Sequence, residues 1–329
     1  SLGDCKVLQF QDMIYHVSHR CICIRFSRRE DVINRAVVSL LPLVPKSIVW
    51  KISKRYIAGT SLADALNCVR QLNDQGMSAT LDVLGEDSVS REQALKGEAL
   101  YQEALSEIDA QSLDANISVK LSMLALRCDE TLCMEILQKL IRSAEIHDSF
   151  VRIDMEDSSV THKTLDIYRR LRRDSDRVGT VVQAYLRSTE EDVRQLMGES
   201  ETYLRLCKGI YVEPEDIAFK DFTEVQDSFI RNLRQMFENG IQKVGIATHD
   251  QRLVKESLKL IDELSIPKEK YEFQMLLGVT EDLRQQLVDA GHPLRVYVPF
   301  GEEWYAYSSR RLRENPSIAG HVIRNMLPF

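Results

Sequence analysis

From residue 61 onward one alternation repeats along the chain. A short apolar run rich in β-branched residues is followed by a longer polar segment with apolar residues at helical spacing. The short runs occupy 79–84, 116–121, 150–155, 180–186, 203–207, 244–248, 271–276 and 294–299. Each has strand length and is flanked by Gly, Asp, Asn or Ser, residues that suit strand ends. Between them the spacing predicts helices over 90–109, 131–147, 161–172, 189–197, 222–239, 251–264 and 280–290, with closing helices over 304–326 interrupted near Pro316. Ser158 or Thr161, Thr189 and Thr280 stand where N-caps belong, and Gly240 and Gly291 where helices end.

Eight such alternations without a break in composition predict an α/β fold, a single (β/α)8 TIM-type barrel over residues 61–329. A doubly wound open sheet is the competitor, and it normally carries a glycine-rich nucleotide turn after its first strand. Here Leu84-Gly85-Glu86-Asp87 follows that strand, and no G-x-G-x-x-G occurs anywhere. Residues 1–60 fall outside the repeat; 29–41 and 45–56 read as helices, so an N-terminal helical arm is expected.

Composition narrows the function classes. The 329 residues are 44% hydrophobic and 28% charged, an ordinary globular balance. A formal net charge of −7 opposes a general phosphate-backbone binder, so no nucleic-acid partner is expected. The 7 cysteines are odd in number, scattered and without a CxxC, which reads as reduced thiols, not a disulfide framework or a zinc site. His16 and His19 near Cys21 and Cys23 are a weak exception, and no metal is expected. The most apolar stretch, 36–44, is too short to span a membrane and is broken by Pro42. The basic first thirty residues leave a transit segment open, with Asp4 and Asp12 against it.

A barrel's site lies at the C-terminal ends of its strands. Those ends carry Glu86; Lys120 and Ser122; Asp154 and Glu156; Gln183 and Tyr185; Arg205, Lys208, Gly209 and Tyr211; Thr248, His249 and Asp250; Gln274 and Leu276; and Tyr297. Polar groups inside apolar strands are costly without partners, so their recurrence points to a ligand site. The last helix adds Tyr307, Arg310, Arg311 and Glu314 at spacings that share a face. The cations Lys120, Arg205, Lys208, Arg310 and Arg311 outnumber Asp154, Glu156 and Glu314, which predicts an anionic ligand gripped by arginine forks.

These blocks carry a family resemblance. The chain is similar to the flavin-dependent proline dehydrogenases, most of all to the short, monofunctional bacterial kind, over about residues 55–329. The blocks are Ser118-Val119-Lys120-Leu121-Ser122, Val151-Arg152-Ile153-Asp154-Met155-Glu156, Val182-Gln183-Ala184-Tyr185, Leu204-Arg205-Leu206-Cys207-Lys208-Gly209-Ile210-Tyr211, Ala247-Thr248-His249-Asp250 and Tyr271-Glu272-Phe273-Gln274, in family order. The closing signature is Tyr307 followed by Arg310-Arg311-Leu312 and Glu314-Asn315. Two positions depart from it: Cys207 stands where an aliphatic is commoner, and Asp250 where Asn is frequent.

The resemblance implies noncovalent FAD, oxidation of L-proline to Δ1-pyrroline-5-carboxylate by hydride transfer to the flavin, and electrons passed to a membrane quinone. Small carboxylate analogues of proline should also bind. It implies a cytoplasmic protein with peripheral contact at the inner face of a membrane, and a pyrroline-5-carboxylate dehydrogenase as partner. On matching positions Arg310, Arg311 and Lys120 would bind the substrate carboxylate, and Tyr297, Leu276, Tyr307 and Tyr211 would wall the ring. Asp154 and Arg205 would be catalytic, with Arg205 also at the flavin; Met155, Gln183, Cys207, Lys208, Gly209, Thr248, His249 and Glu314 would hold the cofactor. No dedicated base is evident, so the amine proton would leave to water. The rivals are hydroxyproline oxidation, opposed by the bulk of Tyr297, a Schiff-base lyase using Lys120 or Lys208, and a noncatalytic binding barrel, which the presence of the clamp, the flavin contacts and Asp154 opposes. The bland reading of Asp154 is an ion pair with Arg152.

Overall fold

The structure is a computed structural model and describes residues 46–85, 87–199 and 202–314. The predicted helix over 29–41 lies outside the described residues. Residues 49–308 form one compact unit, which contains the whole barrel. Its strands are β1 (Ser78–Val83), β2 (Ala115–Val119), β3 (Val151–Ile153), β4 (Val178–Gln183), β5 (Tyr203–Cys207), β6 (Lys243–Ala247), β7 (Tyr271–Leu276) and β8 (Leu294–Phe300). They pair in parallel in chain order, and β8 pairs β1 to close the ring.

Helices follow the strands as the spacing predicts: α3 (Arg91–Ala110), α4 (Glu130–Ile146), α5 (Ser158–Asp174), α6 (Thr189–Glu199), α7 (Phe222–Glu238), α8 (Gln251–Glu263), α9 (Glu281–Asp289) and α10 (Trp304–Glu314). Two precede the barrel, α1 (Lys46–Ser53) and α2 (Leu62–Asp74). The repeat does not predict α2, although its sequence carries helix signals. Ser61 and Asp64 form a reciprocal capping box, and Ala65, Leu66, Val69 and Leu72 are buried at helical spacing.

Four local expectations need correction. Thr189 is the first residue inside α6, and its hydroxyl donates to the Gln183 carbonyl at 2.6 Å. The N-cap of α5 is Asp157, whose carboxylate accepts the Ser159 N–H, not Ser158 or Thr161. Thr280 does precede α9, but with φ +47° its hydroxyl donates to Met275 Sδ at 3.8 Å and caps nothing. Strand β4 ends at Gln183, because a tight turn closes between the Leu186 N–H and the Gln183 carbonyl.

Alternation along the strands sets the two faces of the ring. Leu81, Ile117, Ile153, Leu204, Ile246, Phe273 and Val296 are fully buried and join the apolar core shared with the helices. Their neighbours in sequence face the axis, and there the lining is polar. Arg152 is 1% exposed, and its Nη1 donates to the carbonyls of Thr180 at 2.9 Å and Tyr203 at 2.7 Å. The guanidinium carbon lies 4.0 Å from the centre of the Tyr203 ring and 4.9 Å from that of Phe150; among the described residues it pairs with no carboxylate, so it is not the partner of Asp154.

Glu272 is the anion of this layer. It takes Lys243 Nζ at 2.9 Å on one oxygen and Arg295 Nε at 2.9 Å, Tyr203 OH at 2.8 Å and Gln274 Nε2 at 2.6 Å on the other. Burial alone would raise its pKa, but Arg295 and Lys243 override that and hold it far below the carboxylate range.

A carboxyl whose pKa is lowered on folding contributes stability above its unfolded pKa and loses that contribution as pH falls through the folded one. Wild-type stability in urea should therefore drop as the pH is taken below 4.5, the ordinary value for Glu272. Glu272→Gln should be less stable at pH 7 by about 2–4 kcal/mol, because two half-buried cations lose their buried anion. Its stability should also fall less steeply from pH 5 to pH 3. An unchanged slope in that range would remove Glu272 from the acid response.

Candidate active site

The upper layer of the lining meets at Asp154, the first residue beyond β3. Its Oδ1 accepts from Ser118 Oγ of β2 at 2.6 Å and from Arg205 Nη1 of β5 at 2.8 Å. Its Oδ2 accepts from Tyr297 OH of β8 at 2.7 Å. One carboxylate thus ties strands from opposite sides of the ring across the axis. Strand β3 is short, yet the Asp154 N–H still bonds the Val119 carbonyl at 2.9 Å, which fixes the backbone beneath the hub.

Arg205 is 7% exposed. Its Nε donates to Gln274 Oε1, its Nη1 to Asp154 and, at 3.4 Å, to Ser118. The guanidinium carbon lies 5.3 Å from the centre of the Tyr297 ring. Among the described residues Nη2 has no side-chain partner, so one end of the fork is available to a ligand. Burial, then the charges of Asp154 and Asp82, push the Tyr297 phenol well above its ordinary range, so it remains a donor.

Lys120, just past β2, pairs with Asp82 of β1, which is 1% exposed. Burial works against the ammonium, but Asp82 and Asp154 outweigh it and raise its pKa, so Lys120 stays charged. Sequence reasoning missed Asp82. Its signal was the position itself: Asp82 lies two residues after Thr80, on the strand face that the register turns toward the axis. Ser118 was also given no role, although it stands two residues before Lys120 on the same face.

A second cluster lies over β5 and β6. Lys208 Nζ is 3.3 Å from Asp250 Oδ2 and 4.9 Å from the centre of the Phe222 ring. Gln226 of α7 donates to the same Asp250 oxygen at 2.8 Å, while Thr248 Oγ1 accepts the Asp250 N–H at 3.1 Å. His249 Nε2 accepts the Leu276 N–H at 2.8 Å, so in the neutral ring the proton sits on Nδ1. Gly209 has φ +107°, and a Cβ there would fall 2.0 Å from the Tyr185 ring, so the backbone passes close beside that ring at Gly209. Burial pushes the Cys207 thiol up to about 11, and its Sγ lies 3.7 Å from the Val182 carbonyl, as a small protonated strand residue should.

The remaining expected residues fall around these clusters. Gln183 Nε2 donates to the Glu156 carbonyl at 3.0 Å, and Glu156 in turn holds Ser122. Met155 is buried beside them. Tyr211 in the β5–α7 connection and Tyr307 on α10 are half-buried. Arg310, Arg311 and Glu314 belong to the α10 backbone, but their side chains, like the whole of Glu86, lie outside the described residues. The predicted excess of cations does not hold among the described residues. Lys120, Arg205 and Lys208 each face a carboxylate, two of which, Asp82 and Asp250, were left out of that balance.

Comparison with known proteins agrees with this geometry. The family described as "Proline dehydrogenase" matches residues 65–324. "Proline dehydrogenase 2" of Bacillus subtilis (strain 168) is 38% identical over 272 residues, covering 83% of this chain and 89% of that protein. "Proline dehydrogenase" of Deinococcus radiodurans is 32% identical over 306 residues, covering 91% and 97%. Among solved structures, proline utilization A (PutA) from Bdellovibrio bacteriovorus, inactivated by N-propargylglycine, superposes with a TM-score of 0.79 at 26% identity. That match covers 88% of this chain and 38% of the PutA chain.

Asp154→Ala strands the buried Arg205 guanidinium beside two donors that have lost their acceptor. The expected cost is about 3–5 kcal/mol in urea unfolding, and Asp154→Asn, which keeps one acceptor oxygen, should lose clearly less. Equal losses would mean that the remaining acceptor oxygen contributes nothing and that the cluster requires the negative charge itself.

Proposed function

We propose, on the premise that this chain belongs to the proline dehydrogenase family, that it oxidises L-proline to Δ1-pyrroline-5-carboxylate at the barrel mouth with noncovalently held FAD. One observation carries the site reading: Arg205 is clamped by Asp154 across the axis while its Nη2 stays available beside the charged Lys120. The reaction takes a hydride from C5 of the ring and a proton from its nitrogen, leaving a C=N bond. When bound, the flavin supplies the two-electron acceptor. The chain's own task is positioning.

The donor set suits a flavin dinucleotide. It combines two cations, Arg205 and Lys208, with the Gln183 amide, the Thr248 hydroxyl, the His249 Nδ1 proton and the Cys207–Gly209 backbone. Met155 and Glu314 complete the expected set. Lys120, kept ionised by Asp82 and Asp154, binds the substrate carboxylate together with Arg310 and Arg311. Leu276, Tyr211, Tyr307 and Tyr297 wall the ring. The hydrogen bond to Asp154 holds the Tyr297 ring in place, which crowds a ring hydroxyl and disfavours hydroxyproline. Arg205 provides fixed positive charge where negative charge develops, and Asp154 orients it. Because Asp154 already accepts three donors it serves as an anchor, and the amine proton goes to solvent. A Schiff-base lyase needs a neutral lysine, which the carboxylates around Lys120 oppose.

Electrons pass on to a membrane quinone and product to a pyrroline-5-carboxylate dehydrogenase, from a cytoplasmic protein with peripheral membrane contact. Among the described residues no helix is long and apolar enough to cross a membrane.

The purified protein should be yellow, and anaerobic L-proline should bleach its visible absorption. A colourless protein, or a flavin that proline leaves oxidised, would overturn the proposal. Lys120→Met should raise the KM for proline about tenfold or more with a smaller change in kcat. Arg205→Met should lower kcat by roughly 10²–10³.

A further inference from the structure

The mechanism above leaves unexplained why Arg205 points one way. Its counter-ion Asp154 holds Nη1 alone, and a guanidinium can pivot about a single contact. The second contact comes from Gln274 on β7, 5% exposed, whose Oε1 accepts from Arg205 Nε. The other end of the same carboxamide, Nε2, donates to Glu272 Oε1 at 2.6 Å. Chemistry assigns that orientation without ambiguity. Ionised Glu272 only accepts and Arg205 only donates, so the residue between them must donate at one end and accept at the other. Glutamate would set a second carboxylate against Glu272, and leucine or methionine would leave Arg205 Nε without an acceptor and take one donor from Glu272.

The strand between them makes room. Arg205 of β5 is in register with Gly245 of β6, and Gly245 with Glu272 of β7. A side chain at 245 would project from the axis-facing row, between Arg205 and the β7 residues. A Cβ there would sit 2.4 Å from Gln274 Nε2 and 2.6 Å from its Cδ. Gly245 is thus the gap through which β7 reaches β5.

We infer that Gln274 is a positioning residue that locks the Arg205 guanidinium at Nε, and that Gly245 is glycine in order to admit its carboxamide. The lock is anchored in turn by Glu272, which Arg295 and Lys243 hold in place. This deepens the function proposed above and rests on it only for the consequence in the flavin reaction.

The test uses the full-length holoenzyme and three variants, Gln274→Leu, Gly245→Ala and Gln274→Ala, with the double variant Gly245→Ala/Gln274→Ala. Gln274→Leu and Gly245→Ala should each lower kcat about tenfold while the KM for proline changes less than about twofold, the pattern of a misaligned group that still permits binding. Both should shift the flavin midpoint potential to more negative values, which a loss of general stability would not do. Gly245→Ala should lower the melting temperature in the wild-type background and cost nothing further in the Gln274→Ala background, where its methyl meets no carboxamide. A Gln274→Leu protein with wild-type kcat and potential overturns the inference. So does a Gly245→Ala effect on melting that is equally large in both backgrounds. These outcomes are distinct from failure of the functional proposal, in which proline would leave the wild-type flavin oxidised.

Discussion

Burying charge along the axis of a closed barrel is costly unless each ion meets an opposite charge or, as Arg152 does, backbone carbonyls and aromatic rings. Asp154 illustrates the constraint. It draws donors from β2, β5 and β8 to a single carboxylate, and the contact with Tyr297 of β8 depends on the pairing of β8 with β1 that closes the ring. Lys120 with Asp82, and Glu272 with Lys243 and Arg295, repeat the solution at other heights and azimuths. The apolar core between ring and helices supplies the cohesion, and this polar lining decides which groups stand rigidly at the mouth.

Much of the fold was legible because parallel strands of this kind alternate. An all-apolar lining would have given continuous hydrophobic runs, less easily told from short buried helices. The polar residues facing the axis broke those runs into period two, and the eight strands followed with boundaries off by a residue or two in most cases. The errors came where another interaction overrode pattern. Strand β4 stops at Gln183 because a turn forms, although Ala184 and Tyr185 continue the apolar character. Helix α2 precedes the first strand and so falls outside the strand–helix repeat, although Ser61 and Asp64 carry a capping-box pattern.

The site was legible in its members and not in its pairings. Lys120, Asp154, Arg205 and Tyr297 were identified, and the structure brings them together. What one dimension hides is which carboxylate answers which cation. Arg152 and Asp154 are two apart and look like a pair, yet Arg152 lies in the layer below, against the rings of Phe150 and Tyr203. Asp82 was overlooked because it sits inside a strand, where a charge reads as an exception until the partner on the next strand is known. Gln274 was seen as one more polar strand residue, and only register reveals that a glycine on β6 lets it span to Arg205.

Glu272 carries a consequence for how such a protein changes over generations. With three donors on one oxygen and a lysine on the other, it leaves no vacancy for a neighbour to drift alone. Any exchange at Tyr203, Lys243, Gln274 or Arg295 strands a group that cannot reach solvent, so tolerated replacements must arrive as compensated sets. Lineages descended from a common ancestor should then differ here in correlated jumps, while the helix exteriors diverge one position at a time.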